Sequence, residues 1–147
     1  MSFQKVTRRV VVLSLAGFAA TPLMAETTAE LIAQKKLSVE DAHDLALEGA
    51  ITLVDIRRPD EWALTGVGVG AKPLDMRRKD FVAQLDGLVG GNRSQPIAVM
   101  CARGVRSKWL SRQLEIAGFT QIIDVPEGML GSRAGPGWLR TGLPVVK

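Results

Sequence analysis

Three short apolar runs alternate with amphipathic segments along this chain, and that alternation most narrows what it folds into. Ile51-Thr52-Leu53-Val54-Asp55-Ile56, Pro96-Ile97-Ala98-Val99-Met100 and Gln121-Ile122-Ile123-Asp124-Val125 are rich in β-branched or aliphatic residues and read as buried strands. Helical signals separate them. Ser38-Val39-Glu40-Asp41 has the form of a capping box that opens a helix over 38–48, closed by Gly49. Residues 80–89 put Phe81, Val82, Leu85 and Leu88 on one helical face and stop at Gly90-Gly91-Asn92. Residues 107–118 read as an amphipathic helix, and 27–35 as a short leading one. The pattern predicts an α/β fold: an open, mostly parallel central sheet with helices on both faces. In such sheets ligands bind beyond the carboxyl ends of the strands, where Asp55 and Cys101 both sit.

Cys101 is the only cysteine among the 147 residues. It ends the second apolar run and enters the polar turn Ala102-Arg103-Gly104-Val105-Arg106-Ser107, which leads into a helix. A strand-to-helix turn makes backbone N–H groups converge at the helix start and favours negative charge there. Arg103 and Arg106 add positive charge, so the turn favours a thiolate nucleophile. A cysteine used only as a small buried hydrophobe would need none of these neighbours. With no second cysteine there is no internal disulfide, so the fold stands on its core.

The chain divides into an expected leader, residues 1–25, and one domain, residues 26–147. Lys5, Arg8 and Arg9 precede an apolar stretch over 10–20, and Leu23-Met24-Ala25 offers a cleavage site before Glu26. That stretch is shorter than the roughly 20 residues a spanning helix needs, so no stable membrane anchor is expected after cleavage. Export is the expectation, with the periplasm as the compartment. Thr7-Arg8-Arg9-Val10-Val11-Val12 fits both a twin-arginine and a general secretory signal. Removing the leader's three basic residues from the nineteen of the whole chain leaves sixteen against fifteen acidic, so no nucleic-acid footprint is expected. His43, the sole histidine, has no second ligand-type partner and reads as a packing or surface residue; no metal and no cofactor are implied.

Three separated pieces resemble the rhodanese family of single-domain sulfurtransferases. They are Asp55-Ile56-Arg57 followed by Glu61-Trp62, the loop of residues 101–107, and Glu127-Gly128-Met129 with Trp138 and Gly142-Leu143-Pro144-Val145. The resemblance implies that Cys101 is the catalytic nucleophile and carries sulfur as a persulfide. It implies a substrate-binding loop made of Ala102, Arg103, Gly104, Val105, Arg106 and Ser107. Arg103 and Arg106 are expected to hold the sulfonate end of a donor such as thiosulfate. Asp55 and Arg57 are expected to support the site, with Arg57 as a contributor of charge, while Arg58 reads as a solvated surface residue. The implied partners are a small sulfur-containing anion and a thiophilic acceptor, which includes the option of a protein.

Two stretches depart from the family pattern. Gly66-Val67-Gly68-Val69-Gly70-Ala71 stands where many members have Gly-His-Ile-Pro-Gly-Ala, and is read as a turn plus a short strand. The glycine-rich segment 131–137 is expected to be a surface loop, with Arg133 as a rim beside the site. Met129 and Trp138 are expected to be packing residues. Two other functions stay open: a sulfur carrier without turnover, and a phosphatase or arsenate reductase in which Asp60 or Glu61 is the general acid. Cys101 and Arg106 enclose four residues, the shorter loop that this family associates with sulfur substrates.

Overall fold

The computed structural model describes residues 22–147, with side chains from Thr27 onward. The expected leader lies outside the described residues except for its last four, which belong to helix α1, Pro22–Ala33. Downstream come α2 (Val39–Leu47), β1 (Thr52–Asp55), α3 (Pro59–Thr65), β2 (Val67–Gly68), β3 (Ala71–Pro73), α4 (Phe81–Leu88), β4 (Ile97–Met100), α5 (Val105–Ile116), β5 (Ile122–Asp124), α6 (Gly137–Thr141) and β6 (Val145–Val146).

The central sheet has the order β3-β1-β4-β5, and every pairing in it is parallel. β2 and β6 form a separate antiparallel pair. β4 is buried along its whole length, as a parallel strand covered on both faces must be. Its side chains alternate between two apolar clusters. Ile97, Val99 and Cys101 join Val54, Phe81, Leu85, Leu110, Leu114 and Phe119 under α4 and α5. Ala98 and Met100 join Leu37, Leu45, Leu53, Ile123, Met129 and Trp138 under α2 and α6. Each fully buried large aliphatic or aromatic side chain contributes about 1.5–3 kcal/mol.

Helix α2 starts as the sequence implies: the Ser38 side chain accepts the Asp41 amide at 3.1 Å. Met129 and Trp138 are both fully buried. His43 is buried too, edge-on to Trp138 with 5.2 Å between ring centroids, and its Nδ1 lies 3.0 Å from the Val69 carbonyl oxygen.

Several elements differ from expectation. The segment after Arg58 becomes α3, with Pro59 at its first position, where a missing amide costs nothing. α5 begins at Val105, not Ser107. β3 is an additional edge strand, which tolerates Pro73 because an edge leaves one row of backbone groups unpaired. Within 131–137 only Ser132, Arg133, Ala134 and Pro136 are exposed, while Gly131 and Gly137 are buried and the chain then turns into α6.

Candidate active site

The site is built where β4 ends. The register pairs Asp55 with Met100, so Cys101 emerges one residue beyond the sheet, between the ends of β1 and β5. Gly104 follows with φ 84° and is the residue before α5. The first turn of a helix has amides with no acceptor inside the helix, and Gly104 has no side chain to cap them. The cysteine sulfur takes that role. Sγ accepts the Gly104 N–H at 3.1 Å and the Ser107 N–H at 3.4 Å, and Ser107 Oγ lies 3.6 Å away. Donors aimed at one sulfur stabilise it more as an anion than as a neutral thiol. Cys101 is 1% exposed, so the sulfur sits at the bottom of the loop.

Neighbouring backbone holds the loop in this shape. Met129 donates its amide to the Cys101 carbonyl at 2.9 Å, and Leu130 to that of Ala102 at 2.8 Å. Gly128 has φ 70°, and a Cβ there would collide with the Ala102 carbonyl; a Cβ on Gly104 would collide with that of Pro126. Glycine is required at both places. Buried Glu127 completes the brace by accepting the Val39 amide at 3.2 Å and the Gly137 amide at 3.0 Å.

The arginines differ from expectation. Arg106 is held by Glu61 through two contacts, Nη1 to Oε2 at 2.9 Å and Nη2 to Oε1 at 2.7 Å. Its charge is matched by the carboxylate, which raises its pKa. Arg57 is 1% exposed and spends its donors on Asp55, Thr65 and the Gly66 carbonyl. It braces β1 against the end of α3. Arg103 is exposed, with Nη1 3.5 Å from the Gly131 carbonyl. Of the remaining loop residues, Ala102 acts through its carbonyl, Val105 is exposed at the start of α5, and Ser107 is buried with its hydroxyl 3.3 Å from the Gly104 carbonyl.

Glu61 belongs to the resemblance with Trp62 and is a general-acid candidate in the sequence; the structure sets it against Arg106. Its hydrogen bonds to Arg106 bring its pKa down to about 2, against the opposing effect of burial. A group that is ionised at neutral pH has no proton to give. Asp60, on the same helix, is exposed and paired with Arg58 at 3.1 Å. The Glu61–Arg106 partnership spans 45 residues, so no local spacing announces it.

The family model for the rhodanese-like domain matches residues 38–133, more than half of the chain. The chain belongs to the rhodanese-like family. Among solved structures, the polysulfide-sulfur transferase homodimer from Wolinella succinogenes is 28% identical, with TM-score 0.56 and coverage of 85% of this chain and 90% of that one. A rhodanese-like domain protein from Staphylococcus aureus is 25% identical, with TM-score 0.52 and coverage of 76% and 98%. The Alr3790 protein from Anabaena sp. is 20% identical, with TM-score 0.59 and coverage of 75% and 90%, and shares the fold. Sulfur transfer is chemistry found in this family.

Proposed function

We propose that this rhodanese-like protein is a sulfurtransferase that moves sulfane sulfur from an anionic donor such as thiosulfate to a thiophilic acceptor through a persulfide on Cys101. The observation that carries the reading is the convergence of the Gly104 and Ser107 amides on Sγ, in a loop with four residues between Cys101 and Arg106. The Cys101 thiolate attacks the outer sulfur of thiosulfate; a new S–S bond forms as the old one breaks, and sulfite leaves with the bonding pair. The acceptor, cyanide or a thiolate, then attacks the outer sulfur of the persulfide and returns the thiolate to Cys101. The two amides stabilise negative charge on Sγ in the attacking thiolate and again as the acceptor step returns the electron pair to it. Both Glu61 carboxylate oxygens accept from Arg106, which engages that candidate acid elsewhere and counts against a phosphatase reading that relies on it.

Intact mass after incubation with thiosulfate tests the reading. The expected result is a gain of one sulfur that cyanide removes, with no gain in Cys101→Ser; no gain in the wild-type protein overturns it. A mass gain that neither cyanide nor any thiol discharges would favour a carrier without turnover.

We also propose that residues 1–25 direct export to the periplasm, on the strength of Lys5, Arg8 and Arg9 before the apolar stretch over 10–20. Amino-terminal sequencing of protein from the periplasmic fraction should read from Glu26. Full-length protein retained in the cytoplasm would overturn the proposal.

A further inference from the structure

A groove of about 560 Å³ lies beside the catalytic loop and shares Arg103 and Gly104 with it. Lys36, Lys108 and Arg133 also line it, and Asp124 is its only acidic lining residue. The groove is set by topology. Lys36 bridges to Asp124 along the outer edge of β5, Lys108 stands on the first turn of α5, and Arg133 sits on the exposed turn after Gly131.

Arg57, Arg58, Arg77, Arg78, Arg93 and Arg106 each have a carboxylate partner within 3.5 Å or less. None of the four groove cations has an ion pair of that kind among the described residues. Lys72, Lys79, Arg112, Arg140 and Lys147 also have no ion pair among the described residues, and what marks the groove is that four such cations line one cavity. Asp124 is 7% exposed, and its Oδ1 has no hydrogen-bond partner. Burial pushes its carboxyl pKa up, opposed by the Ser107 hydroxyl and by the charges of Lys36 and Lys108. Four cations against one half-compensated carboxylate leave a strong positive excess. Such a groove concentrates anions beside a reaction centre.

Size separates the possible anions. Cavities of about 300–1,000 Å³ hold organic ligands of drug size, whereas a five-atom oxyanion such as thiosulfate fills only a small part of such a space. We propose that the groove is the acceptor subsite and takes a small organic thiol bearing carboxylates. The inference rests on the sulfurtransferase reading, because it assigns the second half of that reaction. The carboxylates lie against Lys36, Lys108, Arg103 and Arg133, and the sulfur reaches over Gly104 to the persulfide. The acceptor thiol loses its proton to solvent, and its thiolate attacks the outer sulfur. The new S–S bond forms as the Cys101 Sγ–S bond breaks, leaving the thiolate on Cys101 and releasing the acceptor persulfide.

The test uses preformed persulfide, freed of donor, and compares discharge by mercaptosuccinate, a dianionic thiol, with discharge by neutral 2-mercaptoethanol. Lys36 and Lys108 are both exposed, so Lys36→Glu with Lys108→Glu changes charge without opening the core. Each thiol ionises identically with either protein, so comparing the two rate ratios isolates the groove. The wild-type preference for mercaptosuccinate is expected to fall about tenfold or more in the double variant, and to weaken with added salt. Calorimetric titration with mercaptosuccinate should show matching loss of binding. Cyanide discharge with an unchanged ratio of thiol rates and unchanged binding would overturn the acceptor assignment and leave the sulfurtransferase reading intact. Charge-dependent binding by a protein that takes up no sulfur would overturn both, leaving an anion site of another purpose.

Discussion

The two flanks of the Cys101 loop handle positive charge in opposite ways. On the flank formed by β1 and α3, cations are matched: Arg57 to Asp55 at 2.7 Å with both side chains buried, and Arg106 to Glu61 at 2.7 Å with both partly exposed. On the flank formed by β5, α5 and the 132–134 turn, Lys36, Arg103, Lys108 and Arg133 face a groove with only Asp124 against them. The first arrangement makes a rigid wall, since each guanidinium is locked by geometry and each charge is cancelled close by. The second keeps its field available to a ligand. Of the two loop arginines, Arg103 faces the groove while the charge of Arg106 is matched by Glu61, and the sulfur depends on amides for its closest stabilisation.

This contrast predicts graded losses on the paired flank. The largest belongs to Arg57→Ala, which strands Asp55, 0% exposed, without its counter-charge and removes one of the two donors to the Gly66 carbonyl. Breaking one side of a buried pair costs about 3–5 kcal/mol, and urea unfolding should show it. A loss below about 1 kcal/mol, the range of surface pairs, would break the distinction between a buried brace and a surface pair.

Glu61→Gln should cost less, with an effect that depends on pH. Glu61 has its pKa lowered from 4.5 to about 2 on folding, so its contribution is complete above 4.5 and is lost as pH falls toward 2. The stability gap between wild type and variant, steady near neutrality, should therefore close through that window, and added salt should narrow it at every pH. Thermal unfolding across the acid range would sharpen the picture. A gap that does not change with pH would mean that the Arg106 contact is not what holds the wall.

Much of this was legible in the sequence because the signals are local. A buried parallel strand is an unbroken apolar run, an amphipathic helix repeats every three to four residues, and Ser38 marks a helix start by its own hydroxyl. Cys101 was legible for the same reason, being a thiol at the end of such a strand. Of the short strands, β2 falls in the stretch read as a turn plus a short strand, but β3 and β6 were not legible, since two or three residues are too few to show a period and exist as strands only by pairing with distant chain. α3 was hidden because none of its residues is buried, so it presents no apolar stripe.

What the sequence determined by itself is the α/β order of elements, the place of Cys101 at the end of a strand and the turn that presents its sulfur to amides, all properties of neighbours along the chain. Tertiary structure alone decided what each charge does. It placed Glu61 against Arg106 across 45 residues, closed Arg57 into the core, packed Gly128 under the Ala102 carbonyl, and left four cations around one groove. Coulomb interactions and hydrogen bonds depend on distance in space, and a charged residue carries no local sign of which partner the fold will bring to it.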